Sequence, residues 1–555
     1  MRNFLLLVFC FCFGTAVFSQ FSTGGYPESF RYPDINDNFD VVFFNQPDVE
    51  SLKAEDDINV KNGTMLRTGV AIQANLDMKN SGTWTELNDG GRVWRIKIIA
   101  DKAVAIALDI NEYNIPDDCR LFIYDESRSR VLGGFSSENN STNGFFASDF
   151  IPGDEVILEY YEPENAIQSG HFVIKDISYV YRPLPSFITR GFGDSDPCEV
   201  NIICPEGDNW ADEKHGVAKI YLRVGTEYGF CSGSLVNNTD QDCKPYFLTA
   251  DHCGNGASTA DLAWWRFYFN YDSPTCTNPT SEPSPNYTYG SVYVASGGNG
   301  GSNGSDFYLI NIERVNHFPE AWNFYLNGWD RSTTASGGGV GIHHPNGDIK
   351  KISTYSATPV STTWGSAAGS HWRVTWIATV TNHGVTEGGS SGSPLFNNSR
   401  RIIGDLTGGG SYCTATYYPD YYGKFSYSWE SNGTTSTKQL KPWLDPTSTG
   451  VVTLDGKAYN DCFYTRIGKI QKESKLSVYP NPAMDEINVE IFEILKNQNV
   501  TVRMFNKLGE LCLLKEIFVD DRKFSLNLND LDDGLYLIEI QGDGVLLKEK
   551  IIILK

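Results

Sequence analysis

Residues 247–254 read FLTADHCG. An apolar run passes through two small residues into Asp251-His252-Cys253, so a polar triplet stands where a strand ends. A histidine there is either an ordinary polar residue or a general base. The choice depends on whether the chain also supplies a hydroxyl nucleophile and a carboxylate to orient the imidazole. Two further strings answer that. In GVTEGGSSGSPLF (384–396) Ser391 is flanked by Gly389 and Gly392 and followed by Ser393-Pro394. A nucleophilic serine needs such a small-residue backbone, because a carbonyl must come close and its oxyanion must meet main-chain N–H groups. The N–H groups of Gly389 and Ser391 are the two candidates. In GSDFYLINI (304–312) Asp306 opens an apolar strand, where a partly buried carboxylate can accept the imidazole Nδ1–H.

The rest of the chain sets bounds on that reading. Its 555 residues leave room for roughly three or four domains. The 53 glycines and 13% aromatic residues, with few long helical patterns, point to β structure. A formal net charge of −23 argues against nucleic acid or an anionic membrane as the main partner and mildly favours cationic substrates. MRNFLLLVFCFCFGTAVFSQ has one basic residue, an apolar stretch too short for a membrane anchor and a small-residue end. It reads as a secretory signal peptide over residues 1–19. No later segment approaches a membrane span.

Export permits disulfides. Of the 12 cysteines, Cys10 and Cys12 leave with the signal, and seven of the remaining ten lie between Cys198 and Cys413. An odd cluster suggests three bridges and one spare thiol. No cysteine or histidine spacing suggests zinc and no EF-hand loop is present, so no metal or cofactor is expected.

The organisation is expected to be all-β. Runs such as VWRIKIIA, AVAIALDI and EVILEYY predict a β-sandwich over residues 20–190. It ends in the turn-rich SFITRGFGDSDPCEV. Residues 191–460 form a Cys-, Gly- and Trp-rich central domain. After a linker at 461–473, residues 474–555 alternate apolar with polar and predict a small C-terminal β-sandwich.

The order His252, Asp306, Ser391 resembles that of the chymotrypsin-like serine peptidases. Thr249-Ala250-Asp251-His252-Cys253 is similar to their T-A-x-H-C, and Gly389 to Pro394 to their G-x-S-G-x-P. That resemblance implies a double β-barrel with the site between the barrels, and the general-base role for His252. A closer resemblance, to the secreted bacterial lysyl endopeptidases, runs through CEVNIICPEGD, CSGSLVNNT, YFLTADHCG, GWDRS, GIHHPNGDIKKIS, TEGGSSGSP, DYYGKFSYSW and WLDPTSTG, over nearly all of 198–450. It implies a secreted endopeptidase acting on protein or peptide substrates with a basic P1 residue. Asp420 takes the base of the S1 pocket, where an acid selects a cation because an unpaired buried charge is costly. Trp364 takes the position near S1 and S2. In the family's G-x-L-H-G-G string, Thr407 replaces the histidine, ahead of Gly408, which puts strict lysine selectivity in doubt. The family bridges map onto Cys198–Cys413, Cys204–Cys276 and Cys231–Cys253, leaving Cys243 spare.

In the trypsin group an acidic residue just before the serine pairs with the freed N-terminus. Here it is Ser390, so that charge switch cannot operate. Residues 20–190 are then expected to be an inhibitory or chaperone-like propeptide, removed between Arg190 and Gly191. The strings VYPNPAMDEINVEI, NKLGEL and DGLYLIEIQ resemble the sorting domains of the bacterial type IX secretion system. They imply that machinery as a partner and a secreted or cell-surface destination. The competing reading is a non-catalytic adhesin on a protease fold, which a broken triad would favour. His343-His344 reads as a turn between strands rather than a metal pair.

Overall fold

The computed structural model describes residues 24–61, 65–182, 195–313, 318–464, 476–491, 498–507, 510–519, 523–542 and 545–555. The expected signal peptide, the expected cut at Arg190-Gly191 and residues 465–473 of the expected linker lie outside them. The fold is mostly β, as the sequence predicts. Residues through Ala458 pack as one unit, and Tyr459 begins a second.

The apolar runs of the N-terminal region become the strands of a two-sheet sandwich. One sheet orders Val41–Phe44, Arg92–Ala100, Glu155–Glu162, Arg120–Tyr124 and Val131–Phe135. The other places His171–Val180 between Leu66–Asp77 and Ala105–Asn114. Trp94, Ile96, Ile98, Leu108, Leu158 and Phe172 fill the space between the sheets. AVAIALDI is buried on both faces, and the carboxylate of Asp109 is buried with it.

That second sheet does not stop at the domain edge, so the sandwich is less self-contained than its sequence suggests. Leu66–Asp77 pairs antiparallel with Glu227–Val236 of the central domain, Val70 opposite Glu227 and Gly69 opposite Tyr228. A Cβ at Gly69 would lie 2.9 Å from both the Tyr179 carbonyl and the Tyr221 hydroxyl, so only glycine fits this approach. The physical reason for the shared sheet is charge. Arg266 and Arg223, both from the central domain, reach Asp109 at 2.7 and 2.8 Å, and Tyr228 donates to it as well. Arg266 also donates to the carbonyls of Ser148 and Leu108. Phe150, Val180, Tyr221, Tyr228, Phe230 and Tyr268 close over the cluster. Buried charges persist only when paired and hydrogen-bonded, and the seam supplies both.

The central domain holds two strand systems. The first is built on Val217–Val224, Glu227–Val236, Tyr246–Ala250 and Phe307–Ile312, each antiparallel to the next it touches. The second runs Lys351–Tyr355, Gly339–His343, Pro394–Asn397, Ile402–Gly409, Asp420–Lys424, Ala367–Val374 and Val360–Trp364. The bridges Cys198–Cys413, Cys204–Cys276 and Cys231–Cys253 are all present. Cys243 corrects the expectation of a spare thiol: it is disulfide-bonded, as is Cys462. An odd count inside the cluster misled because a partner need not lie in the cluster. Among the described residues Cys119 and Cys512 are free.

The C-terminal unit is a separate sandwich of a three-stranded and a four-stranded sheet around Ile487, Val489, Val502, Met504, Ile538 and Ile551. Asn481 of the Pro-Asn-Pro string bonds the last strand like a rung, donating to the Lys550 carbonyl and accepting from the Ile552 N–H.

Replacing Asp109 by Ala in the Ser391→Ala background leaves two arginines without their shared counter-charge. Urea unfolding of the full chain is expected to show a loss of about 3–5 kcal/mol. An unchanged midpoint and slope would contradict this account of the seam.

Candidate active site

His252 is the second residue of a single helical turn, Asp251–Gly254, directly after the strand Tyr246–Ala250. Asp306 stands one residue before the strand Phe307–Ile312, which pairs with Tyr246–Ala250, Ala250 opposite Phe307. The ladder therefore delivers the two side chains to one end of one sheet. The Asp306 Oδ2 accepts from His252 Nδ1–H at 2.7 Å, and its Oδ1 accepts from the His252 backbone N–H at 2.9 Å. Its carbonyl takes the Asp251 N–H. To reach all three, Asp306 adopts a left-handed φ of 63°, a region that aspartate tolerates better than most residues. The Asp251 carboxylate accepts the Gly300 N–H at 2.7 Å and anchors the preceding loop.

The imidazole is nearly enclosed, with its side chain 6% exposed. Burial pulls its pKa down, but the charge and hydrogen bond of Asp306 and the charge of Asp251 more than offset this, so it lies above the ordinary 6.5. Nε2 makes no hydrogen bond, to Ser391 or to any other group. A base with its orienting bond made and its lone pair free is in the state that proton abstraction requires, and the last contact often tightens only with substrate.

Ser391 reaches this end of the sheet through Ser232. The Ser232 N–H donates to the Ser391 carbonyl at 2.8 Å, and its hydroxyl donates to the Gly389 carbonyl at 2.9 Å. Cys231, one residue earlier, is bridged to Cys253, one residue after His252. Gly392 lies so close to the histidine strand that a Cβ would come within 2.1 Å of Thr249 Oγ1 and 2.6 Å of the Ala250 nitrogen. Gly389 has φ 87°, and among the described residues neither its N–H nor that of Ser391 donates to a protein acceptor. Two adjacent, unengaged amides are what an oxyanion requires.

Asp420 is fully buried. Its Oδ2 accepts from Trp376 Nε1 at 2.6 Å, Thr386 Oγ1 at 2.8 Å and Ser411 Oγ at 2.6 Å, while Oδ1 has only the Ser411 N–H at 3.2 Å. Burial pushes the carboxyl up, against these hydrogen bonds. Oδ1 is the oxygen with acceptor capacity left. A Cβ at Gly409 would sit 1.9 Å from it, so glycine is required beside it.

Trp364 packs on Tyr421 and His371, with ring centroids 4.9 and 6.0 Å away, and over Gly408. Thr407 bonds His371 Nε2 at 2.9 Å. A histidine therefore meets Thr407 from the strand Ala367–Val374, two places along the sheet, beyond Asp420–Lys424. Burial holds it neutral, its pKa down at about 4. Sequence reading missed His371, Ser232 and Asp251 in these roles, since none carries a local signal of its own. Among the described residues, two groups of three His, Cys, Asp or Glu side chains have donor atoms within 4.8 Å of one another, Cys231-His252-Cys253 and Asp196-Glu387-Cys413. Each contains sulfur already consumed in a disulfide.

Residues 192–423 match the family described as lysyl endopeptidase, C-terminal domain, and residues 477–554 match the secretion system C-terminal sorting domain. The central domain is a serine endopeptidase, similar to the lysyl endopeptidases. A lysyl endopeptidase of Pseudomonas aeruginosa PAO1 is 29% identical to this endopeptidase over 394 residues, 66% of this chain and 81% of that one. Solved structures similar to it include the thermostable serine protease AL20 from an extremophilic microorganism, at 15% identity over 39% of this chain and 92% of that one, TM-score 0.28. Another is the protease Anisep from Arthrobacter nicotinovorans, at 16% identity over 41% and 95%, TM-score 0.27. The sorting domain marks the endopeptidase for secretion or the cell surface, and no helix of the described residues is long and apolar enough to cross a membrane.

Replacing Cys231 and Cys253 together by alanine opens a loop of 22 residues and frees the histidine turn from the strand beside Ser391. The expected cost is about 3 kcal/mol in denaturant unfolding, with a fall in kcat. A double variant as stable and active as wild type would show that the bridge does not fix this geometry.

Proposed function

We propose that the endopeptidase hydrolyses peptide bonds after basic residues, lysine foremost and arginine also, through an acyl-enzyme formed on Ser391. The observation that carries this reading is the bonded pair of His252 Nδ1 and Asp306, with a free Nε2 at the turn that Ser232 and Cys231 tie to Ser391.

In the first half-reaction Nε2 of His252 takes the Ser391 hydroxyl proton as Oγ attacks the carbonyl carbon. Asp306 holds the tautomer and stabilises the imidazolium. The carbonyl oxygen, now anionic, takes the N–H groups of Gly389 and Ser391. His252 then gives its proton to the amine leaving group. Water, deprotonated by the same nitrogen, attacks the ester carbonyl, and the released Oγ recovers a proton from His252. No metal or cofactor enters any step.

Selection of the P1 residue is assigned to Asp420. Thr386 ties it to the segment that leads into Ser391, and Ser411 and Gly409 tie it to the strand bearing Thr407 and Gly408. A carboxylate whose pKa is already raised by burial gains most from a cation at its less-bonded oxygen, Oδ1. A lysine preference agrees with the Pseudomonas relative being a lysyl endopeptidase. Trp364 and Thr407 would border the P1 and P2 side chains. Residues 20–190 are assigned to an inhibitory or chaperone-like propeptide, with the cut between Arg190 and Gly191. The boundaries at 190, 460 and 473 belong to the same reading.

Ser391→Ala is expected to lower turnover of a lysine anilide by about 10⁶-fold while the chain stays folded. Wild-type turnover would end the proposal. Asp420→Ser should cost about 2–5 kcal/mol in kcat/KM for lysine substrates and little for neutral P1 residues. Equal losses on both would reassign the pocket.

The pH profile follows from the raised pKa of His252. The base works only when neutral, so kcat/KM should climb with pH through a limb above 6.5. Asp306→Asn should move that limb down and cut kcat by about 10⁴-fold. A wild-type limb below 6.5 would contradict the assignment of His252.

A further inference from the structure

His343 ends the strand Gly339–His343 and is completely buried beside the loop that carries Ser391. Its Nδ1 lies 2.8 Å from Ser390 Oγ and its Nε2 lies 3.1 Å from Ser353 Oγ. The direction of these bonds can be worked out. The Ser353 hydroxyl donates to the Val385 carbonyl at 2.7 Å, and a carbonyl can only accept. Ser353 has no second proton, so it must accept from His343 Nε2–H. A neutral imidazole then has a bare Nδ1, and the Ser390 hydroxyl must donate to it. The Ser390 oxygen in turn accepts the Glu387 N–H at 3.2 Å.

The result is a chain of one polarity: Glu387 N–H to Ser390, Ser390 to His343, His343 to Ser353, Ser353 to the Val385 carbonyl. Both ends lie in the segment 385–390, so the chain closes that segment into a ring through His343. Every polar atom of the imidazole and of both hydroxyls is used. A second proton on the ring would leave the Ser390 hydroxyl without its acceptor. Burial, and then the charge of Lys351, holds His343 neutral, at about 3. Glu199, 3.9 Å from Nε2, has its carboxyl pushed well up by burial and then by the charge of Glu387. The next residues of the same turn grip the loop again: the Asn346 N–H donates to the Gly388 carbonyl at 2.6 Å. A Cβ at Gly389 would meet the Gly347 nitrogen at 3.1 Å and the His344 carbonyl at 3.2 Å.

We propose that His343 is a positioning residue for the oxyanion amides, holding Gly389 and Ser391 in register through its uncharged hydrogen bond to Ser390. This rests on the reading of Ser391 as nucleophile. It sets a neutral imidazole against Ser390, the position at which the trypsin group carries the carboxylate that pairs with a freed N-terminus.

The test compares Ser390→Ala, His343→Ala, their double variant and His343→Gln, whose amide offers one acceptor and one donor. A lysine-ended peptide aldehyde, whose adduct oxygen needs both amides, is set against butylamine, which needs only the pocket. Ser390→Ala and His343→Ala are each expected to lower kcat on the order of 10²-fold at near-constant KM. Aldehyde affinity should fall by the same factor and butylamine affinity stay within about twofold. The double variant should be no worse than either single one, and His343→Gln should recover most of the loss. If His343→Ala does not fold, Ser390→Ala carries the test alone. Folded Ser390→Ala with wild-type kcat, or equal weakening of aldehyde and butylamine, overturns the proposal. Turnover surviving in Ser391→Ala would instead refute the nucleophile assignment.

Discussion

The strand Glu227–Val236 is the constraint on which the rest depends. Its first half pairs with the N-terminal sheet, and its last three residues pair with the strand that leads to His252. Between them lie Cys231, bridged to the histidine turn, and Ser232, bonded to the carbonyls of Gly389 and Ser391. One extended segment thus fixes the proposed base and the proposed nucleophile relative to each other. A strand is suited to this because its residues alternate faces at a fixed rise. A bridge and a hydroxyl at successive positions can serve opposite sides without moving.

The same economy governs the buried polar groups. Asp306, Asp420, His343 and His371 are all fully buried, and each sits within a set of hydrogen bonds that assigns its protons. The His371 ring follows the logic of His343. Ser370 donates to the Ala367 carbonyl, so His371 Nδ1–H must donate to Ser370, and Thr407 must donate to Nε2. The domain therefore holds two neutral imidazoles and a third whose pKa is raised. What separates them is the carboxylate: Asp306 bonds His252 directly, whereas the other two rings meet hydroxyls. Satisfied networks of this kind give a single arrangement, because any alternative strands a buried donor or acceptor.

Much of this was legible in the chain. His252, Asp306 and Ser391 announced themselves through small-residue strings whose geometry leaves little freedom, and three bridges followed from the resemblance those strings carry. Cys243 was not legible, because bridge partners follow proximity in space rather than clustering in sequence. Nor was the pairing of Leu66–Asp77 with Glu227–Val236: each reads as an ordinary strand, and AVAIALDI reads as one too, with nothing in it to mark Asp109 as the meeting point of two arginines. His343 read as part of a turn, and it does end a strand. Its role depends on Ser353 and Ser390, neither adjacent to it in sequence, and on which hydroxyl gives its proton to which atom.

The seam around Asp109 also imposes an order on assembly. Synthesis delivers the carboxylate well before Arg223 and Arg266, and the open edge of Leu66–Asp77 well before its partner strand. The later half thus reaches a carboxylate and a strand edge that precede it in the chain. Until that meeting, Arg266 lacks its carboxylate, Arg223 has only Asp261 of its own domain, and the aromatic face of Tyr221, Tyr228, Phe230 and Tyr268 has no cover.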